Sequence, residues 1–407
     1  MSEVARRRRR GMSRRIGIAA IALSLVAGAC SSDDNSSDTS PADTSDSSSE
    51  EVDIVAEAKR ITELAKAGLV YAAQDSGTAS SDIIAQTEWF GPTEPVSSLE
   101  EGKNVQVIMC SSGTACEVAA NFVVEAAKSV GWTADIIDGQ FNPEVWLTAF
   151  DTAISKKPDA IIGIAIPDVA VDAKLKAARD AGIVTVSIAD TPQGNTTNPY
   201  DAYVSYRMPL MHQILAYATI AETDGAANII LINDSAFPNL VESNVQFSRV
   251  LGQCSGCSVT QVDWTVGDAL DPVKTDAVVT AALAANPNAN YVVLPYSIGM
   301  ASAIEAVRKA GKSETVKVIA KDGDAFALGL VAKGDSPFNA GVGLDWVAYA
   351  GIDQVARGLA GDAYVDGEST GLGIHLWTTA DSQADGSSDY TQWLDFKAQY
   401  KTLWGVG

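Results

Sequence analysis

ADIIDGQFNPEVWLTAFDTAISKKPDAIIGIAIPDVAVDAKLKAARDAGIVTVSIAD, residues 134–190, decides how the rest of the chain is read. Its three short apolar runs, ADIID, AIIGIAI and VTVSIA, are rich in β-branched residues and bounded by Asp, Pro or Gly, which predicts strands. Between them lie two segments with helical spacing. Val145, Ala149, Ala153 and Ile154 share one face of the first, and Val171, Leu175 and Ala178 one face of the second. Strands alternating with amphipathic helices predict parallel strands joined by right-handed crossovers. In such a sheet ligands sit outside the carboxyl ends of the strands. Those ends are marked by Asp138-Gly139-Gln140, Pro167-Asp168 and Asp190-Thr191.

The same rhythm extends in both directions. Upstream, NVQVIM reads as a strand, CSSGTACE as a polar turn and VAANFVVEAAKSVGW as a helix. Downstream, NIILIND, SVTQVDWTV, YVVLPYS and KVIAKDG read as strands separated by helical segments, ending in the strand-like NAGVGLDW. Two successive series predict an α/β protein with two Rossmann-like lobes. Ahead of them, residues 52–73 have helical spacing, and a Pro- and Gly-containing loop, TEWFGPTEPVSSLEEGK, follows.

The N-terminus reads as a targeting segment. Arg6–Arg10 and Arg14-Arg15 form a basic region, Ile16–Val26 an apolar core, and Ala27-Gly28-Ala29 a small-residue site before Cys30. The apolar core is too short for a permanent membrane span. The arrangement resembles a bacterial lipoprotein signal, which implies lipidation of Cys30 and an extracytoplasmic, membrane-anchored protein. Residues 31–51, rich in Ser, Asp and Thr, have almost nothing to bury and read as a disordered tether. The whole chain carries a formal charge of −22. Its first 29 residues hold seven Arg and one Glu, so the remainder has 22 basic and 50 acidic residues, a net −28. Such a balance argues against nucleic acid or an anionic membrane surface as a partner.

With D-x-x-F-N-P-E after one strand, K-P-D-A-I-I-G before the next, A-R-D-A-G-I-V-T-V-S-I-A-D, and the late A-x-x-A-V-R-K-A-G-K and V-x-V-I-A-K-D-G, the chain resembles the type I periplasmic-binding-protein family. The nearest group is the ribose-like sugar-binding lipoproteins of ABC importers, and the likeness runs from about Lys103 to about Ile374. It implies two lobes joined by a three-segment hinge, crossed near Val204–Tyr206, Leu344-Asp345 and Gly373-Ile374. The expected division is a signal peptide over 1–29, a tether over 30–51 and an N-terminal helix and loop over 52–100. The N-lobe takes 101–205 with 345–373, and the C-lobe 206–344 with 374–407.

The resemblance also implies function: capture of a small polar solute, a sugar or sugar-like, by lobe closure and delivery to an ABC transporter permease. The expected protein is a monomer without cofactor. A ligand-sensing receptor of the same fold, signalling through a membrane partner, is the alternative. Asp190 and Asp322, at strand ends, stand where relatives place carboxylates that accept hydrogen bonds from ligand hydroxyls, one from each lobe. Turn or capping roles are the structural alternative. Ser111, Ser112 and Thr114 fall where relatives line the pocket, with helix capping an equal reading. Phe141, Phe237, Trp264, Tyr296 and Trp346, the last following Asp345 at a crossing, offer rings that stack on flat solutes or pack in a core. The Arg of the ribose-like pattern aligns with Val241.

Besides Cys30 the cysteines form two close pairs, Cys110/Cys116 and Cys254/Cys257. In an exported protein structural disulfides are the default. A zinc site would need both pairs to converge, and they fall in different lobes. No dinucleotide fingerprint and no phosphate loop occurs, and with two His residues nothing singles out a carboxylate pair for acid–base work, so the sequence points to binding rather than an enzyme.

Overall fold

The computed structural model describes residues 53–192 and 194–406. The signal segment, Cys30 and the tether lie outside the described residues. In chain order the elements are α1 (Ile54–Ala67), β1 (Leu69–Tyr71), β2 (Ile84–Gln86), β3 (Asn104–Met109), α2 (Ala115–Ser129), β4 (Thr133–Asp138), α3 (Pro143–Ser155), β5 (Ala160–Ile164), α4 (Asp168–Asp180), β6 (Val184–Ile188) and β7 (Ala202–Val204). They continue with α5 (Met208–Glu222), β8 (Asn228–Asn233), α6 (Pro238–Leu251), β9 (Ser258–Asp263), α7 (Val266–Ala269), α8 (Pro272–Ala285), β10 (Tyr291–Val293), α9 (Met300–Lys309), β11 (Lys317–Asp322), α10 (Ala325–Ala332), β12 (Phe338–Gly341), α11 (Leu344–Ala360), β13 (His375–Thr378) and α12 (Phe396–Leu403).

Two parallel sheets result. The N-lobe sheet has the order β4-β3-β5-β6-β7, and every pairing in it is parallel. The C-lobe sheet runs β9-β8-β10-β11-β12, with β13 added antiparallel at the β12 edge. Each lobe is thus wound in the order 2-1-3-4-5. Its switch point, where ligands bind in open α/β sheets, lies between β3 and β5 in one lobe and between β8 and β10 in the other. Helix starts follow local chemistry. Asn142 accepts from Glu144 N–H at 2.9 Å to cap α3, whose first residue is Pro143. Asp271 and Pro272 start α8 in the same way.

The helix expected over 52–73 ends at Ala67, because Gly68 caps it and the chain turns into β1. The strand-like NAGVGLDW divides into β12 and the first turn of α11. Why α5 (MPLMHQILAYATIAE) is apolar on every face becomes clear from its neighbours. It packs on α6 on one side and is covered on the other by α1, so it is buried nearly throughout.

The N-terminal extension begins on the C-lobe with α1 and finishes at β3 in the N-lobe. On the way β1 bridges to Ile374, Val96 N–H donates to Leu403 at 2.9 Å, and the Ser97 N–H donates to Asp362 at 2.7 Å. The approach to the third crossing is so close that a side chain at Gly371, which has φ +80°, would lie 2.6 Å from the Gly91 nitrogen. Residues 374–407 do not stay with one lobe. β13 joins the C-lobe sheet, while α12 packs on α11, whose contacts are with α2 and β6 of the N-lobe. The three expected crossings are therefore accompanied by two more, one from each terminal segment.

Arg207 ties three of these passages together. It is fully buried, holds a left-handed φ of +57°, and faces Asp75 at 2.9 Å. It donates to the carbonyl of Glu368 at 2.8 Å and to that of Ala72. Ser205 donates to the same Asp75 carboxylate. Arg207 and Ser205 belong to the first crossing, Glu368 to the third, and Ala72 and Asp75 to the N-terminal extension.

Candidate functional site

The carboxyl ends of both sheets face each other across a cavity of about 90 Å³. From the N-lobe, Cys110 and Thr114 after β3, Phe141 after β4, Ile164 and Ala165 at β5 and Ile188 and Ala189 at β6 reach it. From the C-lobe come Phe237, Asn239 and Leu240 after β8, Val266 after β9, Tyr296, Ser297 and Ile298 after β10, and Lys321 and Asp322 of β11. Ala115, Cys116 and Ala119 of α2, Tyr206 and Met208 of the first crossing and Leu344 of the second complete the wall. The loop contributions follow from strand order: a doubly wound lobe delivers its post-strand loops to one edge. The cavity walls are strained in places. Phe141, Ala165, Ala189 and Asp322 hold φ of +49°, +52°, +66° and +105°, values that side chains rarely adopt and that cluster at functional sites.

The polar groups in the wall are joined to each other. The Lys321 ammonium donates to Asp322 Oδ1 at 2.8 Å, with both side chains buried. The other carboxylate oxygen accepts from Ser297 N–H at 3.1 Å. The Tyr206 hydroxyl donates to the Asp322 carbonyl at 3.1 Å, and its ring centre lies 5.9 Å from the Lys321 ammonium. Tyr296 donates to Asp234 at 3.0 Å, and burial pushes that carboxyl above its usual range. Asn239 donates across the lobes to the Ala189 carbonyl at 2.8 Å.

In K-D-G-D the two carboxylates have separate work. Asp324 caps α10, accepting from Phe326 and Ala327 N–H at 2.9 and 3.1 Å. Burial, then the neighbouring Asp322 charge, pushes its carboxyl up. Asp322 is left to the cavity, so it is not the helix cap. Thr114 takes both of its expected parts: it lines the cavity, and its hydroxyl accepts from Cys116 N–H at 3.2 Å to cap α2.

Of the residues singled out in the sequence, Thr114, Phe141, Phe237, Tyr296 and Asp322 meet at the cavity. Ser112 instead faces a second, outer part of the cleft and donates to Asp138 at 2.7 Å. Ser111 is outside the lining, and its carbonyl accepts from the Thr114 hydroxyl at 2.7 Å. Asp190 is buried after β6, beside Ala189, and is not in the lining. Trp264 stacks on Tyr296 at 5.9 Å and supports it from outside the lining. Asp345 and Trp346 are drawn into N-lobe packing. Asp345 pairs with Lys397 of α12 at 2.9 Å, and Trp346 is fully buried against Trp89 and Phe396. Both sit on the first turn of α11, where α12 and the N-terminal loop compete successfully for them.

Lys321, Asn239 and Tyr206 were not among the expected cavity residues, although Tyr206 marks the first expected crossing. A lysine inside the apolar run KVIAK was the available signal, since a strand interior rarely holds a charge without a partner. The cysteines are joined as expected: Cys110–Cys116, with S–S 2.02 Å, forms part of the cavity wall, and Cys254–Cys257, with S–S 2.09 Å, lies between α6 and β9. Among the described residues no group of three or more His, Cys, Asp or Glu is placed to hold a metal ion.

Comparison with solved structures finds the same fold. A solute-binding protein of an ABC transporter from Agrobacterium vitis, bound with α-D-tagatopyranose, matches with a TM-score of 0.60 at 20% identity over 69% of this chain and 95% of that one. The 5-methylthioribose transporter solute-binding protein of Thermotoga lettingae matches at 0.61 and 18% over 76% and 100%. The glucose-galactose binding protein of Geobacillus stearothermophilus matches at 0.61 and 17% over 69% and 99%. No curated protein sequence matches. The sequence profile of the periplasmic binding protein domain matches residues 105–363, more than half of the chain. This chain therefore belongs to the periplasmic binding protein domain family.

Proposed function

We propose that the protein is the solute-binding component of an ABC importer, capturing a small polar solute of sugar or polyol size between its lobes. The observation that carries this reading is the cavity fed from the carboxyl ends of both sheets, with wall residues on each lobe and on the crossings. Solved relatives of the same fold hold tagatopyranose and 5-methylthioribose. Bridging contacts to both lobes make the closed form the tighter one, so solute shifts the population toward closure. Thr114, Phe141, Phe237, Tyr296 and Asp322 are the proposed contacts, and the function is binding rather than catalysis. Cys30 is the proposed lipid anchor of an extracytoplasmic, monomeric protein.

The test is a melting-temperature screen of sugars, polyols, nucleosides and amines, followed by small-angle scattering on any hit. A solute that binds only the folded form raises the melting temperature. The cognate one also reduces the radius of gyration. A screen without a single stabilising solute overturns the reading. For the anchor, Cys30→Ser is expected to move the protein from membranes to a soluble fraction, and retained lipid labelling in that variant excludes Cys30.

A further inference from the structure

The cavity wall is unlike the surface of a polyhydroxylated solute. Ile164, Ile188, Leu240, Val266, Ile298 and Leu344 face it, with the Cys110–Cys116 disulfide beside them. Its polar side chains are few and mostly engaged: Tyr206 with the Asp322 carbonyl, Tyr296 with Asp234, Asn239 with Ala189 and Thr114 with Ser111. A ring bearing hydroxyls all round would bury several of them against carbon. Each buried hydroxyl without a partner is unfavourable, because it loses its bonds to water and gains none.

One edge differs. Lys321 and Asp322 lie side by side in the wall with Ser297, and their mutual bond uses only part of their capacity. An ammonium has three donors and a carboxylate about four acceptor sites. Their charges cancel. A ligand carboxylate there would meet Asp322, and a ligand ammonium would meet Lys321. A hydroxyl can donate to the one while accepting from the other.

We propose that the solute is a neutral molecule with its hydroxyls confined to one edge, set against Lys321 and Asp322, and an apolar remainder held by the aliphatic wall. This rests on the solute-binding reading and narrows its ligand class. It predicts a preference by hydroxyl number at constant ring size, and by charge at constant skeleton.

Calorimetric titration of the folded protein with four six-membered carbocycles tests it: myo-inositol, cis-1,2-cyclohexanediol, cyclohexylamine and cyclohexanecarboxylate. The diol is expected to bind at least tenfold more tightly than each of the other three. Binding of myo-inositol as tight as the diol, or preference for either ion, overturns the proposal. Sugars or polyols that stabilise the protein while the diol does not bind also overturn it, and leave the solute-binding reading standing. Silence from the diol series and the wider screen together removes both. A second arm uses Lys321→Met with Asp322→Asn, which deletes both charges without leaving either alone. A diol affinity reduced at least tenfold, with melting temperature retained, supports the edge assignment, and an unchanged affinity overturns it.

Discussion

The side-chain amide of Asn239, in the first turn of α6, donates to the main-chain carbonyl of Ala189 at the end of β6, 2.8 Å away and in the opposite lobe. Two post-strand positions, one from each sheet, thus touch directly at the cavity that both line. The bond exists only when the lobes are close, so it contributes to closure and not to the folding of either lobe. Asn239→Ala is expected to weaken solute affinity about two- to tenfold, the equivalent of about 0.5–1.5 kcal/mol for one neutral hydrogen bond. Titration calorimetry measures it. Affinity equal to wild type would show that the contact plays no part in closing.

Asp322 cannot be removed without consequence for Lys321, because the pair is buried and bonded at 2.8 Å. Asp322→Ala leaves an ammonium uncompensated and is expected to lower the stability of the unliganded protein by about 3 kcal/mol or more. Adding Lys321→Met should recover much of that loss. Chemical denaturation of the two single variants and the double variant gives the coupling. Additive effects would mean that the two charges do not sense each other.

The Cys110–Cys116 disulfide closes a short loop at the cavity and holds the turn between β3 and α2. By chain entropy alone such a loop contributes about 2 kcal/mol. Replacing both cysteines with Ser is expected to reduce stability by that order and to lower solute affinity as well. The Cys254–Cys257 link lies outside the cavity lining, so its double Ser variant should lose stability while binding normally. Peptide mapping without reductant should recover both links, and free thiols at all four positions would contradict the pairing.

His212 on α5 is fully buried, with its ring edge toward Phe247, 6.2 Å between centres. Burial, then the positive charge of Lys321, pushes its pKa from the ordinary 6.5 down to about 3. In the unfolded chain His212 takes a proton as pH falls through 6.5, whereas the folded protein refuses it until about pH 3. The unfolded state therefore binds more protons inside this window. The contribution is nil above the window and becomes increasingly destabilising as pH falls through it, at about 1.4 kcal/mol per pH unit. Denaturation of wild type and His212→Leu between pH 7 and 4 isolates this slope from that of the buried carboxylates. Parallel pH profiles would show that the imidazole does not titrate on unfolding.

Much of this architecture was legible because periodicity and strand ends are written in residue types. The runs NVQVIM, AIIGIAI and VTVSIA became β3, β5 and β6, and the Asp322 position at a strand end led to the cavity. Other features had no such signature. β1 and β2 are three residues each, too short for alternation to register. Ala165 and Ala189 line the cavity through left-handed backbone conformations that the identity of alanine does not announce. Trp346 and Asp345 looked like site residues by their place at a crossing. Their removal into the N-lobe depends on Phe396 and Lys397, some fifty residues downstream, and on Trp89 far upstream. Long-range packing of this kind is set by tertiary neighbours that no local pattern specifies.

Five strands of chain between two lobes shorten the stroke of the clamp. Rotation must be absorbed by backbone at five passages at once, three of them pinned to one another through the buried guanidinium of Arg207. Opening must deform all five, so the expected stroke is shorter than three passages alone would allow. Entry through a narrowly opening mouth is correspondingly slow, since association falls when binding awaits a change of shape. Loading and release are therefore expected to be slower than in a clamp hinged on three passages alone.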